Sequence, residues 1–127
     1  MVGSKKKDET EILAETCVEG IFKKKGRNII GLNLEKIPNA VSKVFIVCDG
    51  TSRAQVTAIA ESVDEEVKRS LGLDPWHREG FENAEWILLD YVDVVVHIFQ
   101  EKTRAFYRLE ELWADALIKR YHDTSRQ

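Results

Sequence analysis

The sequence predicts a single-domain α/β protein: a mixed, mostly five-stranded sheet flanked by helices. Two long segments, Glu9 to Lys24 and Ser52 to Leu71, space their apolar residues three and four apart, as a helix with one buried stripe does. Short runs rich in Val, Ile and Leu follow each of them, bounded by Gly, Pro and Asp. The order helix, strands, helix, strands, helix makes a sheet with helical cover the natural way to bury both kinds of apolar surface. At 127 residues the chain suits one domain with a real core. The expected organisation is a flexible start over 1–8, a domain over 9–122 and a flexible end over 123–127.

The first helix presents Ile12, Leu13, Cys17, Val18, Ile21 and Phe22 on one stripe; Lys23, Lys24 and Lys25 meet its negative end before Gly26 stops it. NIIGLNL at Asn28 to Leu34 suits a strand, and Pro38 blocks ladder pairing in the connection that follows. VFIVC at Val44 to Cys48 is apolar on both alternating faces and wants cover on both sides. In DGTSRAQV, Ser52 caps the second helix and Gln55 completes a capping box by reaching back to the cap amide. Gly72 ends that helix, with Pro75 beyond it. HREGF is a weaker strand, and WILLDYVDVVVHIF, Trp86 to Phe99, is long enough for two strands reversing near Tyr91 and Val92. A last helix is expected from about Thr103 to Tyr121, with Phe106, Leu109, Trp113, Ala116 and Leu117 on one face.

A formal net charge of -3 argues against affinity for free nucleic acid, which needs clustered Lys and Arg. It favours a basic protein partner. Cys17 and Cys48 lack the paired spacing of a zinc or redox motif and read as reduced thiols, so the cytosol is the expected compartment. The opening MVGSKKKDETEIL has no apolar core of signal-peptide length, and no run reaches the ~18 apolar residues of a membrane span.

The chemistry-bearing candidates cluster in the reversing segment. Strand parity puts Trp86, Leu88 and Asp90 on one face, and Ile87, Leu89 and Tyr91 on the other. Asp90 and Asp93 then bracket the turn, where carboxylates stay solvated and bond nearby amides. His97 shares its face with Val95 and Phe99, and a lone histidine in such a place is more often hydrogen-bonded within the fold than catalytic. A magnesium or nucleotide site built from the Asp49–Ser52 loop with Asp90 and Asp93 is the enzymatic alternative. Against it, the two aspartates are three apart across a bend, and no glycine-rich loop with its lysine is present. No cofactor or metal is therefore expected. Trp86 at a strand start beside carboxylates suits an interface anchor with a polar rim, although on composition alone it reads first as a core tryptophan; Trp113 reads as core and Trp76 as either.

GTSRAQVTAIAESVDEEVK, REGFENAEWILLDYVDVVVHIFQ and RAFYRLEELW resemble, in order and spacing, the Iojap family of ribosomal silencing factors. The resemblance spans about Ile12 to Trp113. It implies a nucleotidyltransferase-like fold without a working catalytic carboxylate set, so not an enzyme. It further implies a translational repressor that binds the large ribosomal subunit through its fourteenth protein and blocks joining of the small subunit when nutrients are short. Carried over by position, Trp86, Ile87 and Asp90 belong to the partner-binding surface, with Asp93 beside them and Arg78, Glu79 and Gly80 in the stretch before. No membrane is involved, and a homodimer stays open. The chain departs from the family at Val92, where glycine is usual, so its turn is expected to avoid positive φ. Lys43 stands where aspartate is frequent, and Asp49 where a small residue is.

Overall fold

A computed structural model describes residues 8–113 and 115–122, without the side chain of Glu110; of the segments expected to be flexible, 1–8 and 123–127, only Asp8 is among the described residues. Asp8 opens α1 (Glu9–Lys23) by accepting from the Glu11 amide at 2.8 Å, with Glu9 and Glu11 placed favourably in the first turn. The stop differs from expectation in one respect. Lys25, not Gly26, takes the left-handed conformation (φ 61°), and Gly26 is required because a Cβ there would collide with the Ile21 side chain.

The chain continues through β1 (Arg27–Asn33), β2 (Val44–Gly50) and α2 (Arg53–Leu71). Ser52 caps α2 by accepting from the Gln55 amide at 3.1 Å, and Gly72 closes it at φ 70°. The reciprocal half of the expected capping box is redirected: Gln55 Oε1 takes the Thr51 amide, and its Nε2 donates to the Lys24 and Lys25 carbonyls. One side chain thus ties the end of α1 to the start of α2. β3 (His77–Glu79), β4 (Trp86–Asp90) and β5 (Val94–Gln100) complete the central part of the sheet.

The segment expected as one long helix breaks into α3 (Glu101–Tyr107), a left-handed Arg108 at φ 49°, α4 (Leu109–Leu112) and a strand, β6 (Leu117–Arg120). β6 pairs antiparallel with β1, from Ile30 opposite Arg120 to Asn33 opposite Leu117. Covering an otherwise open sheet edge outweighs the helical spacing of the sequence. The expected stripe is accordingly scattered: Leu109 and Ala116 are buried, while Phe106 and Leu117 are exposed.

Among the described residues the sheet has six strands rather than five, in the order β3-β4-β5-β2-β1-β6. The β2–β5 pair at its centre is parallel and its neighbours are antiparallel, so the sheet is mixed as expected. One face, with Ile46, Cys48, Ile87, Leu89, Val96 and Ile98, lies under α1 and α2. Those helices touch closely at Gly20, whose carbonyl accepts from Ser62 Oγ at 2.8 Å and where a Cβ would press on Val63 Cα. The other face, with Leu32, Phe45, Val47, Val95 and Phe99, is covered only in part, by Leu109 and Ala116 and by the half-buried Trp113. Cys17 and Cys48 are free and fully buried, and burial pushes both thiols well above their usual range, so neither is reactive. No helix among the described residues is long and apolar enough to cross a membrane.

Candidate docking face

Strand register decides which residues share the partly covered face. Trp86 pairs with Phe99, Leu88 with His97, and Asp90 with Val95, so these six side chains stand on that face. The alternate residues Ile87 and Leu89 turn under α1 and α2 and have no exposed surface. Ile87, expected beside Trp86 at the partner surface, therefore stands behind it. In β3, Glu79 pairs with Leu88 and His77 with Asp90, which puts both on the partly covered face. Arg78 pairs with Leu89 and turns the other way, where its Nε and Nη2 donate to Asp64 of α2 at 3.0 and 2.7 Å. Arg78 braces β3 against the helix. Gly80, at φ 91°, can only be glycine, since any Cβ would strike the Trp86 carbonyl.

Trp86 is half-buried, its ring 4.8 Å from Phe99 and 4.9 Å from Tyr107, and its Nε1–H donates to His97 Nδ1 at 3.1 Å. His97 itself is 4% exposed, and burial lowers its pKa to about 4, so the ring is neutral at physiological pH. Hydrogen bonding within the fold, expected from its apolar face, holds for Nδ1. Among the described residues Nε2 has no partner.

At the reversal, Asp90 Oδ1 accepts the Val92 amide at 2.7 Å and the Asp93 amide donates to the Tyr91 carbonyl at 3.0 Å. With Val92 at φ 76°, this is a γ-turn of the rarer, positive-φ kind. The expectation that a β-branched residue would steer the turn away from positive φ is overturned. The Asp90 carboxylate and the Tyr91–Val94 ladder bond hold the strained residue, whose side chain is 58% exposed. The Asp93 carbonyl accepts from both Lys43 and Val44, and the Asp93 and Lys43 side chains approach to 3.9 Å.

Between this turn and Trp86 lies a groove of about 380 Å³, lined chiefly by Val41, Phe45, Trp76, Leu88, Asp90 and His97. Trp76 (78% exposed) and Val41 (82% exposed) form its outer walls. Trp76 is a member that spacing alone left undecided; its amide bond to the Asp90 carbonyl at 2.7 Å fixes it there. The floor is apolar and Asp90 stands at its rim, while Glu79, on the same sheet face, is held at 2.6 Å from His77.

The enzymatic alternative is not assembled. Because β2 and β5 run parallel with Val44 opposite Val94 and Asp49 opposite Phe99, Asp49 sits five residues, roughly 16 Å, from the sheet end that carries Asp90 and Asp93. Asp49 is 3% exposed and already occupied, accepting from Arg104 Nη1 at 3.0 Å and Asn28 Nδ2 at 3.2 Å. Among the described residues no three His, Cys, Asp or Glu side chains are grouped to hold a metal.

The family model described as "Ribosomal silencing factor during starvation" matches residues 6–127. The chain is 38% identical over 104 residues to the "Ribosomal silencing factor RsfS" of Halalkalibacterium halodurans, covering 82% of this chain and 87% of that one. It is 37% identical over 90 residues to "Protein Iojap, chloroplastic" of Zea mays, covering 68% of this chain and 37% of the longer relative. A crystal structure of a Chromobacterium violaceum protein superposes with a TM-score of 0.79 at 36% identity, covering 84% of this chain and 88% of the other.

Proposed function

The chain belongs to the ribosomal silencing factor (RsfS) family, and from that premise we propose that it lowers translation by docking on the large ribosomal subunit and obstructing the small one. A ribosome-associated silencing role follows from membership; the docking face is our reading of the geometry. The observation that carries it is the incompletely covered sheet face, where a half-buried indole, an apolar groove and the carboxylates of Asp90 and Glu79 are held by strand register. A protein that only needed a core would have no reason to leave Trp76 and Val41 standing in solvent beside that groove.

An acidic rim suits the basic surface typical of ribosomal proteins, and the fourteenth protein of the large subunit is the partner that the family resemblance implies. Complementary charge speeds encounter and fixes register, whereas the aromatic and aliphatic groups supply most of the affinity. No bond need be made or broken. If the small subunit claims overlapping surface, each bound copy withdraws one large subunit by mass action. Nutrient shortage, named in the family description, is the condition under which such withdrawal is useful.

Gradient sedimentation of purified protein with isolated subunits tests the proposal. Cosedimentation with large subunits, and a loss of joined particles as protein is added, is the expected result. Normal joining at saturating protein would end the occlusion reading.

A further inference from the structure

His97 carries a group that nothing within the described fold uses. Its Nδ1 accepts from the Trp86 indole, so the neutral imidazole must carry its proton on Nε2. That nitrogen is buried and unpartnered among the described residues. Buried donors are nearly always paired, because an unpaired one has lost its water and gained nothing. The ring lines the groove between Trp76, Leu88 and Phe45, and Nε2–H points away from the indole that holds Nδ1. The side chains walling this groove, Val41 and Trp76, are among the most exposed apolar groups of the described residues.

The nature of the missing acceptor follows from its surroundings. A carboxylate is disfavoured, since Asp90 and Glu79 share this face and the imidazole offers no positive charge. Water is displaced when an apolar segment fills the groove. A neutral oxygen within a basic protein segment satisfies both conditions, and a main-chain carbonyl is the most abundant group of that kind.

We propose that His97 is a specificity-determining residue of the docking face, donating its Nε2–H to a main-chain carbonyl of a loop from the ribosomal protein partner seated in the groove. This rests on the docking reading given above. The incoming loop packs between the Trp76 and Val41 side chains and completes a hydrogen bond that His97 lacks among the described residues. Segments that fit the groove but present a donor or a carboxylate at this point are rejected.

Two substitutions separate the roles of the two ring nitrogens. His97→Asn keeps an oxygen near the Nδ1 position for the indole and removes the outer donor; His97→Gln keeps a donor near the Nε2 position and gives up the inner acceptor. Affinity for isolated large subunits should fall about tenfold for His97→Asn and stay near that of the parent for His97→Gln. A histidine that only steadies Trp86 gives the reverse order, and that result overturns the proposal. Val41→Arg, on an exposed wall of the groove, tests the underlying reading separately. If it binds like the parent, the docking face is elsewhere; if it fails to bind while His97→Asn binds normally, only the role of His97 falls. Should either His97 variant melt early, the same question is read in the unmutated protein with ¹⁵N-histidine. The Nε2–H signal should shift on saturation with the purified fourteenth protein of the large subunit, and an unmoved signal overturns the proposal.

Discussion

Trp86 and His97 are joined side chain to side chain, indole Nε1–H to imidazole Nδ1 at 3.1 Å, although eleven residues separate them in the chain. The bond crosses from β4 to β5 diagonally, since Trp86 stands opposite Phe99 and His97 opposite Leu88. It sets the indole at one angle over Phe99, with Tyr107 also against it, and leaves part of the ring exposed.

Trp86→Ala should weaken cosedimentation with large subunits by at least ~2 kcal/mol, the scale of an interface anchor. Trp86→Phe retains an aromatic ring over Phe99 but strands the Nδ1 acceptor, and should lower folding stability by about 1 kcal/mol in urea titration. Unchanged binding by the alanine variant would remove Trp86 from the docking face.

His97 makes folding stability depend on pH. Its pKa is about 4 in the fold against 6.5 for a free imidazole, because burial disfavours the cation. Between those values the unfolded chain takes up a proton that the folded chain refuses, so stability rises with pH through that window. The contribution is complete above pH 6.5 and is lost as pH falls toward 4, amounting to about 3 kcal/mol. Denaturant titrations of parent and His97→Asn across the window should show a steep slope for the first and a shallower one for the second. Equal slopes would assign the acid sensitivity to other groups.

Val92→Gly should stabilise the fold. Positive φ at a β-branched residue costs on the order of 1–3 kcal/mol, and the greater freedom of unfolded glycine returns about 0.4–1 kcal/mol of that. A net gain near 1 kcal/mol in urea is expected. A loss would mean that the exposed Val92 side chain contributes packing that its accessibility conceals.

Asp49→Asn should destabilise the fold by about 1–3 kcal/mol, because it weakens the ion pair that the carboxylate makes with the nearly buried Arg104 guanidinium at 3.0 Å. Arg104→Met should also destabilise the fold, and the double variant should cost less than the two single losses added together. Strict additivity in this double-mutant cycle would show that the pair is not coupled.

Much of this architecture is legible from local spacing. The Ser52 and Gly72 boundaries of α2, the two-residue alternation through Trp86 to Phe99, and the burial of His97 all arise from interactions within a few residues or one hairpin. The failures share a cause. RAFYRLEELW continued by LIKRY has convincing helical spacing, yet the second part becomes β6 because β1, some ninety positions earlier, offers an open edge. Likewise Arg78 and Glu79 are neighbours in sequence but serve opposite faces, and only the pairing of β3 with β4 and the presence of Asp64 on α2 reveal which. Strand parity already set Trp86 and Ile87 on opposite faces; the separation of Arg78 from the Trp86 face needed the third dimension.

The parallel contact between β2 and β5 joins segments about fifty residues apart, with β4 clasped to its outer side. A nascent chain therefore has no such groove, and on the proposed reading no docking face, until roughly a hundred residues have left the exit tunnel, because the groove floor comes from both partners. Fragments released early would carry the tryptophan without the surface that gives it meaning.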